Sequence, residues 1–225
     1  MTETVSIDDL KPGHKPHIGV LINPYSGGNK NGLAAIRRTI AQYPRTFHCD
    51  VQKPPEVLAA LEDFARRGVE LVVVNGGDGT VQAVLTALLN YRPFENLPLL
   101  AVLQSGTTSM TARDVGFSGS PVKALEKIFR WADSGGGDAF IHRRPVLQVQ
   151  APGLDTRYGM FFGTAGIYQG IQYFHRNVNA KGLKGELGPG ITISRFLWSA
   201  SFRRSDFISS VPLTIAVDDQ PPQEL

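Results

Sequence analysis

Cysteine is almost absent from this chain: Cys49 is the only one in 225 residues. A disulfide framework needs pairs and a multi-thiolate zinc site needs several thiolates, so both are excluded. Histidine is also sparse. The five present (His14, His17, His48, His142, His175) show no metal-ligand spacing. No apolar run approaches the roughly 18 residues that would cross a membrane. Residues 1–16 are acidic, then polar, and lack the apolar segment of a secretory signal. The expected location is cytoplasmic. Neither sign of charge dominates: 23 Lys+Arg face 20 Asp+Glu, and a net +3 is too small to imply nucleic acid by itself. What is present, 42% apolar and 19% charged residues, excludes wholesale disorder and supplies a core. The length fits one large domain or two small ones.

Acidic residues are scarce in one place. Between Arg176 and Arg204 six cations (Arg176, Lys181, Lys184, Arg195, Arg203, Arg204) meet Glu186 alone, and Tyr173, Phe174, Phe196, Trp198 and Phe202 run through the same region. One reading is a solvated helix face with core aromatics. The other is a surface for anionic phosphates, on a membrane leaflet or a nucleotide.

The first half alternates between two periodicities. Strands are expected at 17–22 (HIGVLI), 46–51, 69–74 (VELVVV) and 97–103. Helices are expected at 32–43, 56–67, 81–89 and 121–132, where apolar residues recur at helical spacing. The strand at 46–51 stops at Pro54-Pro55. Short connections between strands and helices imply an α/β fold, a parallel sheet covered on both faces. Ser134-Gly135-Gly136-Gly137 reads as a linker. Beyond it strands are expected at 145–150 and 157–164 across a Pro152-Gly153 turn, a helix at 191–203 and a strand at 211–217. The final VDDQPPQEL is read as a turn that leads nowhere. The expected division is a flexible tail at 1–16, an α/β domain at 17–135 and the start of a mainly β domain at 136–225. No internal repeat is evident.

Ligands of open parallel sheets sit at the carboxyl ends of the strands, and three Gly/Ser/Thr-rich loops fall there. The sharpest is Asn75-Gly76-Gly77-Asp78-Gly79-Thr80, directly after VELVVV. Its glycines let backbone approach a phosphate and take positive φ. The amides of Gly79 and Thr80 are expected to open the next helix, an anion site. An Asp beside phosphate suggests Mg²⁺ coordination or proton abstraction from an attacking hydroxyl. A tight turn in which Asp78 caps the helix is the alternative. The second loop, 23–32 (NPYSGGNKNG), is no Walker A loop, because no Gly-Lys-Ser/Thr follows at the required spacing. Lys30 in it could reach a phosphate as a point charge. The third, 104–111 (QSGTTSMT), offers hydroxyls to phosphate or ribose, or else a Ser/Thr-rich helix cap.

Together NPYSGGNKNG (23–32), VVVNGGDGTVQAV (72–84) and SGTTSMTARDVG (105–116) resemble the diacylglycerol kinase catalytic domain family, which includes bacterial lipid kinases, sphingosine kinases and ceramide kinases. A weaker match is RYGMFFGTAGI (157–167). The resemblance implies a Rossmann-like parallel-sheet nucleotide domain followed by an antiparallel β-sandwich domain, only partly present in this chain. It implies transfer of the ATP γ-phosphate, with Mg²⁺, to a hydroxyl of a diacylglycerol-like or long-chain-base lipid. A peripheral position at the inner face of a membrane follows, with no nucleic acid partner. The ATP-binding role carries over to Asn23, Ser26, Gly27, Gly28, Lys30, Gly76, Gly77, Asp78, Gly79, Thr80, Ser105, Gly106 and Thr107. Asp78 is the implied catalytic base and metal ligand.

The chain departs from the family pattern at named places. Gln82-Ala83 stands where the family usually has Asn-Glu, Gln104 replaces a proline, and Ser109-Met110 replaces Asn-Asp. No threonine follows the second strand near 49–52. The last strands of the second domain are expected to be missing: either the chain is a fragment, or a second copy or another partner completes the domain. The competing readings are a nucleotide-binding regulatory relative without turnover, a soluble kinase of the NAD-kinase or sugar-phosphate-kinase kind, and a general binder of anionic surfaces.

Overall fold

The computed structural model describes residues 15–163, apart from 30, 31, 107, 117, 118, 136, 138 and 139, and residues 214–215 and 223–224. Four stretches, β1 (His17–Ile22), β2 (Thr46–Asp50), β3 (Val69–Gly76) and β4 (Leu99–Gln104), all but β2 rich in β-branched residues and leucine, form one parallel sheet in the order β2-β1-β3-β4. The register pairs Leu21 with Val74 and Val74 with Val102. All three strand pairings are parallel because a helix intervenes after each strand: α1 (Leu33–Ala41), α2 (Pro54–Arg66) and α3 (Asp78–Tyr91). After β4 come the short α4 (Met110–Asp114) and then α5 (Pro121–Asp133).

Alternation along the strands sends side chains to two cores. Leu21, Val72, Val74 and Val102 pack with Leu61 and Phe64 of α2, with Val81, Val84 and Leu88 of α3, and with Ala112 of α4. Ile18, Val20, Ile22, Leu71, Val73 and Leu103 pack on the other side with Ile36 and Ile40 of α1 and Leu125, Ile128 and Phe129 of α5. The chain leaves β1 by α1 toward β2 and returns by α2 to β3 on the opposite side of β1. That reversal puts a crevice between the carboxyl ends of β1 and β3, the topological switch point of the sheet.

The helix starts differ from expectation for local reasons. Pro54 and Pro55 do not end a strand; they occupy the first turn of α2, where a fixed φ suits the helix and a missing N–H costs nothing. Glu56 closes that turn by accepting from the amides of Gln52 (2.7 Å) and Lys53 (3.3 Å). β3 runs two residues past Val74, and α3 starts at Asp78 with Gly77 as its cap, three residues before the expected helix.

Beyond α5, β5 (Leu147–Ala151) and β6 (Leu154–Gly159) form an antiparallel hairpin that turns at Gly153, φ +73°. A compact unit ends at Phe162 and a second begins at Gly163. In the second, β7 (Thr214–Ile215) pairs antiparallel with β8 (Gln223–Glu224). The closing VDDQPPQEL therefore leads back into a strand pair. The fold is α/β with a four-stranded parallel sheet and small antiparallel pairs. The expected tail up to residue 14, the helix at 191–203, the basic and aromatic region at 176–204 and residues 164–167 lie outside the described residues.

Candidate active site

The loops after β1, β3 and β4 lock together over the switch point. The Asn23 amide donates to the Asn75 carbonyl across the crevice at 2.9 Å. Asn29 Nδ2 donates to the carbonyls of Asn23 (2.7 Å) and Asn75 (3.2 Å), and Asn29 is buried. Asn23 Nδ2 donates to Thr80 Oγ1 at 3.0 Å, and the Gly77 amide donates to Ser26 Oγ at 3.1 Å. The third loop joins through the Gly28 amide, which donates to the Ser105 carbonyl at 2.9 Å. Ser105 Oγ donates to Asn75 Oδ1 beneath it, with both residues fully buried. Asn75 Nδ2 has no partner among the described residues. The first and third loops thus meet above the end of β3, and residues from all three line one cleft.

The glycines of the Asn75–Thr80 string serve approach rather than unusual torsions. Gly77 has φ −91°, and neither Gly76 nor Gly79 has a positive φ. The expectation of left-handed glycines is corrected accordingly. A Cβ on Gly76 would lie 2.6 Å from the Thr80 side chain, and one on Gly106 would lie 2.6 Å from Gly77 Cα. These two contacts explain why both loops are glycine-rich. Gly79 is different: a Cβ there would meet nothing within 4 Å. It lies exposed in the first turn of α3, where amides lack partners within the helix. The Thr80 amide, expected to face a ligand, already donates to the Gly77 carbonyl at 2.9 Å.

A cleft of about 360 Å³ opens above this network. Of the candidate residues, Asn23, Ser26, Gly27, Gly77, Gly79, Thr80 and Gly106 line it. Gly28, Gly76 and Ser105 lie in the loop contacts just described and do not line the cleft. Lys30 and Thr107 lie outside the described residues. The remaining wall comes from Tyr25, from Val51 to Pro54 after β2, and from Val57 and Ala83. Sequence reasoning missed this wall. Its signal was available, since Gln52 and Lys53 also follow a strand's carboxyl end.

Asp78 is not among the lining residues, and its carboxylate faces α4. Oδ2 accepts from Thr108 Oγ1 (2.9 Å) and the Met110 amide (3.1 Å), and Oδ1 accepts from the Thr111 amide (2.9 Å). Burial pushes its pKa up, but the hydrogen bonds from Thr111, Met110 and Thr108 outweigh it and hold the carboxyl below the usual carboxylate range. Asp78 caps a helix, though not the one it begins. Among the described residues no group of three or more His, Cys, Asp or Glu converges on a metal position. The thiol of Cys49 is pushed up by burial and then by Asp50, Asp63 and Glu56, which argues against a nucleophilic role.

The family model described as diacylglycerol kinase catalytic domain matches residues 17–134, just over half of the chain. A diacylglycerol kinase of Bacillus subtilis (strain 168) is 34% identical over 101 residues, which cover 43% of this chain and 32% of that protein. A protein of Enterobacter sp. (strain 638) named "Probable lipid kinase YegS-like" is 36% identical over 66 residues, 29% of this chain and 22% of that one. The matches thus span about a third or less of these relatives. A crystal structure of a diacylglycerol kinase from Bacillus anthracis str. Sterne is 25% identical, with a TM-score of 0.44, over 51% of this chain and 40% of that chain.

Proposed function

We propose a lipid phosphotransferase, on the premise that this chain belongs to the diacylglycerol kinase catalytic domain family. Bound ATP would supply the γ-phosphoryl group, and a hydroxyl of a diacylglycerol-like or long-chain-base lipid would accept it. The observation that carries the reading is the open backbone at Gly79, beside the switch point, at the amino end of a 14-residue helix. Such an end attracts anions through its free amides and the helix dipole. In this reading Asn23, Ser26, Gly27, Gly77, Gly79, Thr80 and Gly106 bind the nucleotide. Gly28, Gly76 and Ser105 hold the loops in place. Lys30 and Thr107 belong to the same loops and add a charge and a hydroxyl. Asp78 stays anionic and orders the third loop. Mg²⁺ would arrive on the ATP phosphates, since the described residues offer no metal cluster of their own. Among the described residues no helix is long and apolar enough to cross a membrane, so the lipid would be taken at a membrane surface.

One observation favours a second reading, nucleotide binding without turnover. Ala83 lines the cleft where the family usually has Glu, so this wall carries no carboxylate.

Two measurements on the full chain separate these readings. The first is ATP affinity of the wild type and of Gly79→Ala. An alanine early in a helix should leave stability equal or raise it by up to about 1 kcal/mol. Its methyl would occupy the ligand's space and should weaken ATP binding about tenfold or more. Undiminished affinity in a folded Gly79→Ala would remove the first turn of α3 from the binding site. The second is transfer of label from γ-labelled ATP, with Mg²⁺, to a total lipid extract in mixed micelles. Labelled lipid supports the kinase, and tight ATP binding with no labelled lipid supports the second reading.

A further inference from the structure

α4 has five residues, too few to be helical on its own. Its local cap is poor. Ser109 makes no side-chain capping bond to it and sits in the left-handed region, φ 48° and ψ 45°. Ser109 Oγ instead accepts from the Gly106 amide (2.9 Å) and donates to the Gly106 carbonyl (3.1 Å). Side chains from elsewhere grip both ends. At the amino end, Asp78 accepts from the Met110 and Thr111 amides. At the carboxyl end, Arg144 forks: Nε donates to Asp114 Oδ2 and Nη2 donates to the Asp114 carbonyl, each at 3.2 Å. A cation there also suits the helix dipole. Arg144 lies beyond the segment matched by the family model, between α5 and β5.

We propose that Arg144 is a positioning residue for the cleft: through its forked hold on the carboxyl end of α4 it fixes the loop that presents Gly106. The mechanical path is short. Gly106 is tied to Ser109, which precedes α4, and α4 is pinned between Asp78 and Arg144. Gly106 in turn lies against Gly77, so a shift of α4 displaces the wall that both glycines form. The link to ligand affinity rests on the nucleotide reading of the cleft; the hold on α4 does not.

The test is hydrogen exchange at the Met110 and Thr111 amides of the full chain, beside ATP affinity, in Arg144→Gln, Arg144→Lys and Arg37→Gln. Arg37 forms a surface ion pair with Asp50, remote from α4 in the fold, and serves as the control. Exchange at both amides should quicken about fivefold in Arg144→Gln with global stability almost unchanged. Lysine cannot fork, so Arg144→Lys should behave alike. Arg37→Gln should leave both amides as they are. ATP affinity should fall in the two Arg144 variants only. Unchanged exchange in Arg144→Gln, or full restoration in Arg144→Lys, would overturn the proposal. Quickened exchange in a protein that binds no ATP would keep the hold on α4 and remove the nucleotide reading. Normal ATP binding with unaltered exchange would do the reverse.

Discussion

Three donors converge on the Asp78 carboxylate: one hydroxyl and two backbone amides. A base that must take a proton needs a lone pair directed at the substrate and a pKa near the working pH. Asp78 has its oxygens engaged and its pKa lowered, which suits a fixed negative charge better than a proton acceptor. Its cap on α4 can be measured through linkage. A carboxyl with a depressed folded pKa contributes stability that is complete above its unfolded pKa, close to 4, and is lost as pH falls through the folded value. Asp78→Asn should therefore lower stability by about 1–2 kcal/mol at pH 7. The gap between wild type and variant should be constant from pH 7 to about 5 and close below about 4. Urea unfolding across that range reads it directly. A gap that stays flat down to pH 3 would mean that the charge of Asp78 contributes nothing to the cap.

At the scale of elements, the hairpin of β5 and β6 is fastened to α3 by two polar side chains. Thr86 Oγ1 accepts from the Tyr158 amide (3.0 Å) and donates to the Tyr158 carbonyl (3.3 Å), while Asn90 Nδ2 donates to the Thr156 carbonyl (3.0 Å). Gln82 supports the fastening by donating to the same Thr86 oxygen at 3.2 Å. This gives a structural use to one departure from the family pattern: the Gln82 amide serves the hairpin. Thr86→Val keeps the shape but leaves both polar groups of Tyr158 unpaired, at about 1–3 kcal/mol. Hydrogen exchange should quicken in Leu154–Gly159 and stay slow in β1 and β3. Equal loss of protection in all of them would show that the hairpin and the sheet open as one unit. The elements themselves were legible where one signal dominated. VELVVV is too β-branched to be anything but a buried strand, and the alternation with helices fixed a parallel sheet. The glycine string marked a place where two loops come close, because only glycine at 106 permits the approach to Gly77. What could not be read were contacts between distant residues. Nothing local to Arg144, Asp114 or Asp78 says that they share α4, and the prolines of α2 read equally well as a strand's end or a helix's first turn.

At the scale of the molecule, the switch point exists only while both helical layers stay seated on the sheet. β1 and α2 seat closely at Gly19, where the paired positions of the neighbouring strands carry Phe47 and Val72. A Cβ on Gly19 would lie 2.5–2.9 Å from three ring atoms of Phe64, which is buried to 1% exposure. The ring thus occupies the place of a side chain, and α2 can neither approach further nor rotate without disturbing Leu61 and Val57 beside it. Gly19→Ala should lower stability by about 1–3 kcal/mol, the cost of overpacking a close-packed layer. The loss should fall on the whole α/β unit, seen as a lower urea midpoint with an unchanged slope. Trimming the opposing ring supplies the internal check. Phe64→Leu alone should also destabilise by leaving a void, but Gly19→Ala with Phe64→Leu should lose less than the two single changes added together. Strict additivity would mean that the added methyl is accommodated by movement of β1 and not against the ring. In that case the crevice between β1 and β3 would have to widen, and ATP affinity would fall with stability in Gly19→Ala. Positive coupling between positions 19 and 64, with ATP affinity intact, would show that the sheet holds its crevice rigid while the helical layer takes up the strain.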